Sequence, residues 1–195
     1  MSLGLAAGPS AHGTTWAIGE TEWSEPTGAA LSSKARGGQN GSARFGFPAS
    51  SFQYRELITR LADRYRVIAP DLPGFGFTAV PEQRHYKYTF DALANTILAF
   101  TDALYLTRYA LYVFDCGAPT GFRLAMARPE RISAIVSQNG NAYEEGLGDA
   151  WVPEAYRRDN PNATVQFLDT GHFALETHVE EIAFAMRQLL SKTAG

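Results

Sequence analysis

Asp115 follows the apolar run "YALYVF" and opens "DCGAPTGFRLAMA". A carboxylate at the end of a buried strand is costly unless it is paired or put to use. His172, in "FLDTGHF", is the second residue whose type and setting suit chemistry. A carboxylate can attack carbon and form an ester on the chain. An imidazole can then activate water to hydrolyse that ester. Two readings of Asp115 stand open on the residues alone. It can N-cap the helix that begins near Ala118, because Asp is a favoured cap. It can also sit at the apex of a tight strand-to-helix elbow. Gly117 and Gly121 would give such an elbow room, and the helix N-terminus behind it favours negative charge. The backbone N–H of Cys116 would then face the reacting atom. His172 has an alternative too, as a polar turn residue. Cys116 is a rival nucleophile, one position past the apex.

The elements that must position these residues are legible as alternating patterns. "SSFQYRELITRLADRY" sets Tyr54, Leu57, Ile58 and Leu61 on one helical face, with Ser50 or Ser51 as its cap. "YRVIAPDLPGFGF" is a short strand that stops at Pro70 before a Pro- and Gly-driven turn. "YTFDALANTILAFTDALYL" carries Phe90, Leu93, Ala94, Ile97, Thr101 and Leu104 on one stripe. "YALYVF", "ISAIVSQNG" and "ATVQFLDTGH" read as strands, and "GAPTGFRLAMARPE" as a helix of small residues. "LETHVEEIAFAMRQLL" places Leu175, Val179, Ile182, Ala183, Met186 and Leu190 together. His178, within that helix, reads as a surface residue. Alternating strands and helices predict an α/β fold: a mostly parallel sheet with helices on both faces. Reactive groups gather at the carboxyl ends of such strands. Asp71, Asp115, Asn139 and His172 all fall there.

The totals bound the function. A chain of 195 residues suits one domain. The net charge of −3 offers no basic surface to nucleic acid. The lone Cys116 forms no internal disulfide, and no Cys cluster implies a metal. "MSLGLAAGPSAHG" lacks the basic and apolar regions of a secretory signal. No run reaches the roughly 18 apolar residues of a membrane span. A cytoplasmic enzyme or binding protein is expected, without cofactor, metal, nucleic-acid or membrane partner. Texture changes near residue 45. Residues 1–44 are rich in Gly, Ala, Ser and Thr and read as a poorly structured segment, with a weak hairpin at "TTWAIGETEW" and a linker at "SSKARGGQNGSAR". Residues 45–195 carry the patterned core.

"VFDCGAPTGFRLA" resembles the elbow of α/β-hydrolases that use an aspartate, the haloalkane dehalogenase and epoxide hydrolase group. "FGFPASSFQYRELITRLADRYRVIAPDLPGFGFT" is similar to their oxyanion loop, helix and strand, and "FLDTGHFALETHVEEIAFAMRQLL" to their histidine loop and final helix. The resemblance implies Asp115 as nucleophile, His172 as base, and the backbone N–H groups of Phe47 and Cys116 as oxyanion or halide donors, with Pro48 holding the loop. It implies a small apolar organic substrate, an alkyl halide or an epoxide.

The chain departs from that pattern in three places. The oxyanion loop reads "NGSARFGFP", with Phe45 where the group has histidine and no apolar strand before it. The sheet should therefore lack one or two core strands, and its stability should be marginal. Only residues 116–171 separate Asp115 from His172, too few for the helical cap of the group. The strand and acidic loop that supply the histidine's carboxylate partner are also missing. Glu144, Glu145 and Asp149 lie near the junction, as substitutes or as a solvated acidic loop. Tyr143 and Tyr156 read as packing residues. The expectation is an internally deleted hydrolase, with a catalytically inactive remnant or interaction fragment as the alternative. A Ser-type esterase ranks last, since Asp115 holds the apex.

Overall fold

The computed structural model describes residues 2–7, 23–24, 30–31, 41–46, 50–140 and 160–193. Among the described residues eight strands run in chain order: β1 (Ser2–Ala7), β2 (Trp23–Ser24), β3 (Ala30–Leu31), β4 (Gly41–Gly46), β5 (Arg66–Ile68), β6 (Tyr109–Phe114), β7 (Ile132–Gln138) and β8 (Thr164–Phe167). Six of them form one sheet in the order β5-β4-β6-β7-β1-β8, while β2 and β3 make a separate ribbon. β5, β4, β6 and β7 are parallel neighbours. β1 runs antiparallel to both β7 and β8.

β6 is buried at all six positions. A strand covered on both faces has no reason to alternate apolar with polar, which is why "YALYVF" reads as an unbroken run. Its side chains split between two cores. Ala110, Tyr112 and Phe114 face α1 (Arg55–Leu61) and α4 (Val179–Thr193), where Leu57, Leu61, Ile182, Met186 and Leu190 close the layer. Tyr109, Leu111 and Val113 face α2 (Phe90–Ala103) and α3 (Gly117–Ala127), where Leu93, Ile97, Phe100 and Leu124 lie.

The helix starts follow ordinary capping. The Thr89 hydroxyl accepts the Ala92 N–H at 3.2 Å and opens α2. Ser50 accepts the Phe52 N–H at 3.3 Å and opens a short 3-10 turn, Ser51–Tyr54, that leads into α1. Phe90, expected on the buried stripe of α2, is instead exposed. It is the first residue of the helix, and its ring lies 5.5 Å beneath the Arg123 guanidinium.

The expected gap beside β6 is occupied. β4, "GSARFG", pairs with β5 through Gly41–Ala43 and with β6 through Ser42–Gly46. Such a ladder is made of backbone N–H and C=O groups, which Gly and Ser supply as well as Val does. Leaving the slot open would strand those groups on both neighbours. β1 takes the place between β7 and β8 in the same way. The hairpin turn and most of the linker read from the sequence lie outside the described residues, but the last four linker residues, Gly41–Arg44, are in β4 and not in a flexible segment, because both neighbouring strands hold them by backbone pairing.

Candidate active site

Asp71 and its loop form one wall of the strand ends. Its side chain is buried. The carboxylate accepts the Ser51 N–H at 2.6 Å and the Phe77 N–H at 2.9 Å. The Thr78 hydroxyl donates to the Asp71 carbonyl at 2.5 Å. Gly76 makes the wrap possible: its φ is +52°, and a Cβ there would lie 2.2 Å from the Asp71 carboxyl carbon. Asp71 is thus fully engaged in joining two loops.

Asp115 follows the last residue of β6. Its φ is 48°, a left-handed conformation that non-glycine residues rarely adopt. An N-cap residue is extended and offers its side chain to the next turn. Here Cys116 holds the N-cap position of α3, and no side chain caps the helix. Asp115 is therefore an elbow residue and not a cap. Its carbonyl accepts the Ala118 N–H at 2.9 Å, which closes the turn. The two carboxylate oxygens then have separate surroundings. Oδ1 accepts the Cys116 N–H at 2.5 Å. Oδ2 lies 2.7 Å from Nε2 of His172.

His172 arrives from the turn after β8. Its ring packs against two aromatic neighbours, tilted to Phe114 with centroids 4.7 Å apart and edge-on to Phe173 at 5.2 Å. Its main chain is tied to the end of β7 and the next residue. The carbonyl accepts from Asn139 Nδ2 at 2.9 Å and from Gln138 Nε2 at 3.1 Å. Gln138 Oε1 in turn accepts the Tyr112 hydroxyl. Among the described residues, Asp115 is the one polar partner recorded for the imidazole.

Of the residues singled out in the sequence, Asp115, His172 and the Cys116 N–H meet at one point. Phe47 and Pro48 lie outside the described residues, as do Tyr143, Glu144, Glu145, Asp149 and Tyr156. His178 stands apart, its Nδ1 2.9 Å from the Thr177 hydroxyl. The Cys116 thiol is pushed up to about 11, first by burial and then by its hydrogen bond to Asp115 and the charge of that carboxylate. A thiol so poorly ionised is a weak nucleophile at neutral pH. Among the described residues, no group of three or more His, Cys, Asp or Glu is arranged to hold a metal. No described helix is long and apolar enough to cross a membrane. Gln138 was missed by the sequence reading. An amide at a strand end carries no sequence signal of its own, because its partners Tyr112 and His172 are far off in the chain.

The fold is that of a known family. The model of the alpha/beta hydrolase fold matches residues 46–154, and the chain belongs to that family. An uncharacterized hydrolase of Saccharomyces cerevisiae is 55% identical over 109 residues, which are 55% of this chain and 37% of that one. Haloalkane dehalogenase 2 of Mycobacterium tuberculosis is 38% identical over 94 residues, 48% of this chain and 32% of that one. The chain spans about a third of the length of the curated relatives it matches. A CIB-like hydrolase from Thermoplasma acidophilum shares the fold, with a TM-score of 0.68 at 16% identity over 84% of this chain and 92% of that one.

Proposed function

We propose that the protein hydrolyses a small alkyl halide or epoxide through an ester formed on Asp115. The observation that carries this reading is the division of the carboxylate: Oδ1 on the Cys116 N–H, Oδ2 against His172. Oδ2 attacks the substrate carbon as the halide leaves, or as the epoxide C–O bond opens and the released oxygen takes a proton from solvent water. The alkyl group then occupies Oδ2, and Nε2 of His172 faces the ester. His172 takes a proton from water as the water oxygen attacks Cγ. Negative charge develops on Oδ1, where the Cys116 N–H already points, and the N–H of Phe47 is the second proposed donor. Collapse releases the alcohol, which receives the proton from His172.

A second reading has its own observation. Without a carboxylate on Nδ1 the imidazolium loses its stabilising charge, and none stands there among the described residues. Such a protein would keep the elbow and bind or alkylate without completing turnover.

The test is a panel of bromoalkanes and 1,2-epoxides, with halide or diol release followed beside Asp115→Asn and His172→Gln. Turnover by the native chain and its loss by about 10⁴-fold or more in Asp115→Asn are expected. A folded, soluble sample that neither turns over nor gains mass would overturn the enzyme reading.

A further inference from the structure

The groups that hold the histidine loop come from the centre of the sheet. Gln138 is 3% exposed and Tyr112 is fully buried. They lie on paired strands, with Gln138 in register with Phe114 and Tyr112 with Val136. The order of their hydrogen bonds follows from chemistry. The His172 carbonyl only accepts, so the amide end that faces it must be the NH₂. That turns Oε1 of Gln138 toward Tyr112, whose hydroxyl must then donate. One O–H, one amide and one carbonyl make a chain with a single workable polarity. It ends on the main chain of the residue whose ring meets Asp115.

We propose that Tyr112 and Gln138 are positioning residues: they set His172 on Asp115 through its carbonyl and so govern hydrolysis of the ester but not its formation. The proposal rests on the ester reading above. Attack by Oδ2 needs no imidazole, whereas activation of water does. Asn139 supplies a parallel bond to the same carbonyl, so the loop does not detach when Gln138 is lost. It becomes less well aimed. Loss of folding would lower both chemical steps together. Loss of positioning lowers the second alone.

The experiment compares native protein with Gln138→Leu and Tyr112→Phe, using 1-bromobutane as probe. Rapid quench and intact mass follow the first alkylation, and bromide and butanol release follow turnover. Alkylation should stay within about twofold, while hydrolysis falls about tenfold to a hundredfold in Gln138→Leu. The alkylated form should then accumulate. Tyr112→Phe, which removes a single oxygen, should show the same split to a smaller degree and serves if Gln138→Leu does not fold. A parallel fall in both steps, or no change in either, overturns the proposal. A second readout needs no turnover. The His172 Cε1–H resonance should shift when Asp115→Asn is made in the native chain, and shift much less when it is made in Gln138→Leu. Equal shifts in both backgrounds overturn the positioning role. Absence of any alkylation in the native chain and in His172→Gln, with unequal shifts, would instead overturn the ester chemistry and leave the positioning intact.

Discussion

Asp115 and His172 meet at 2.7 Å, yet the chain holds them in different ways. Asp115 is fixed by its neighbours. β6 ends beside it, Cys116 bonds its carboxylate, and Ala118 closes the turn. Besides His172, Gln138 on the neighbouring strand adds a distant tie, through a 3.4 Å backbone bond. His172 is fixed from afar. The two amides on its carbonyl are 33 and 34 positions away in sequence, and its ring leans on Phe114 across the sheet. A local turn carries its own geometry with it. A distant residue keeps its place only while the strands between stay in register. The nucleophile half should therefore survive lesions that disable the histidine half.

The largest expected effect comes from attacking the Asp71 clamp, which joins two loops outside both halves. Gly76→Ala forces a left-handed alanine whose Cβ falls 2.2 Å from the Asp71 carboxyl carbon. Releasing that clash breaks the bonds to Ser51 and Phe77. A loss of about 3 kcal/mol in chemical unfolding is expected. A change under about 0.5 kcal/mol, the level of an ordinary surface substitution, would mean that Asp71 is no clamp.

Asn139→Ala sharpens the comparison from the histidine side. It removes one of two bonds to the His172 carbonyl and leaves Gln138 in place. Stability should fall by about 1 kcal/mol. Hydrolysis of the ester should slow a few-fold while alkylation holds. Equal slowing of both steps would show that the halves are not separable.

The smallest effect is confined to the nucleophile half. Alkylation of Cys116 by iodoacetamide should be slow at neutral pH and climb as pH approaches about 11, where the thiol ionises. Asp115→Asn removes the charge and weakens the hydrogen bond, two of the three causes that raise it, and leaves burial. Its thiol should react faster at pH 8 than the native one. An unchanged rate would place the carboxylate elsewhere.

The same contrast decides what was legible. Asp115, α2, α3 and β6 follow from periodicity and turn residues within a few positions of each other. β4 and β1 did not, because periodicity reads side chains and these strands are held by backbone ladders at positions chosen by their neighbours. "GSARFG" offers only Ala43 and Phe45 to an apolar face, too short an alternation to announce itself. Gln138 was illegible for a related reason. An amide at a strand end looks like any polar residue until Tyr112 and His172, far apart in sequence, close around it.

The central claim is an ester on Asp115 whose hydrolysis needs His172. Intact mass of His172→Gln after incubation with 1-bromobutane tests it most directly. The account predicts the gain of one butyl group, mapped by peptide sequencing to Asp115 and absent from Asp115→Asn. No gain in a folded sample, or a butyl group on Cys116 instead, would contradict it.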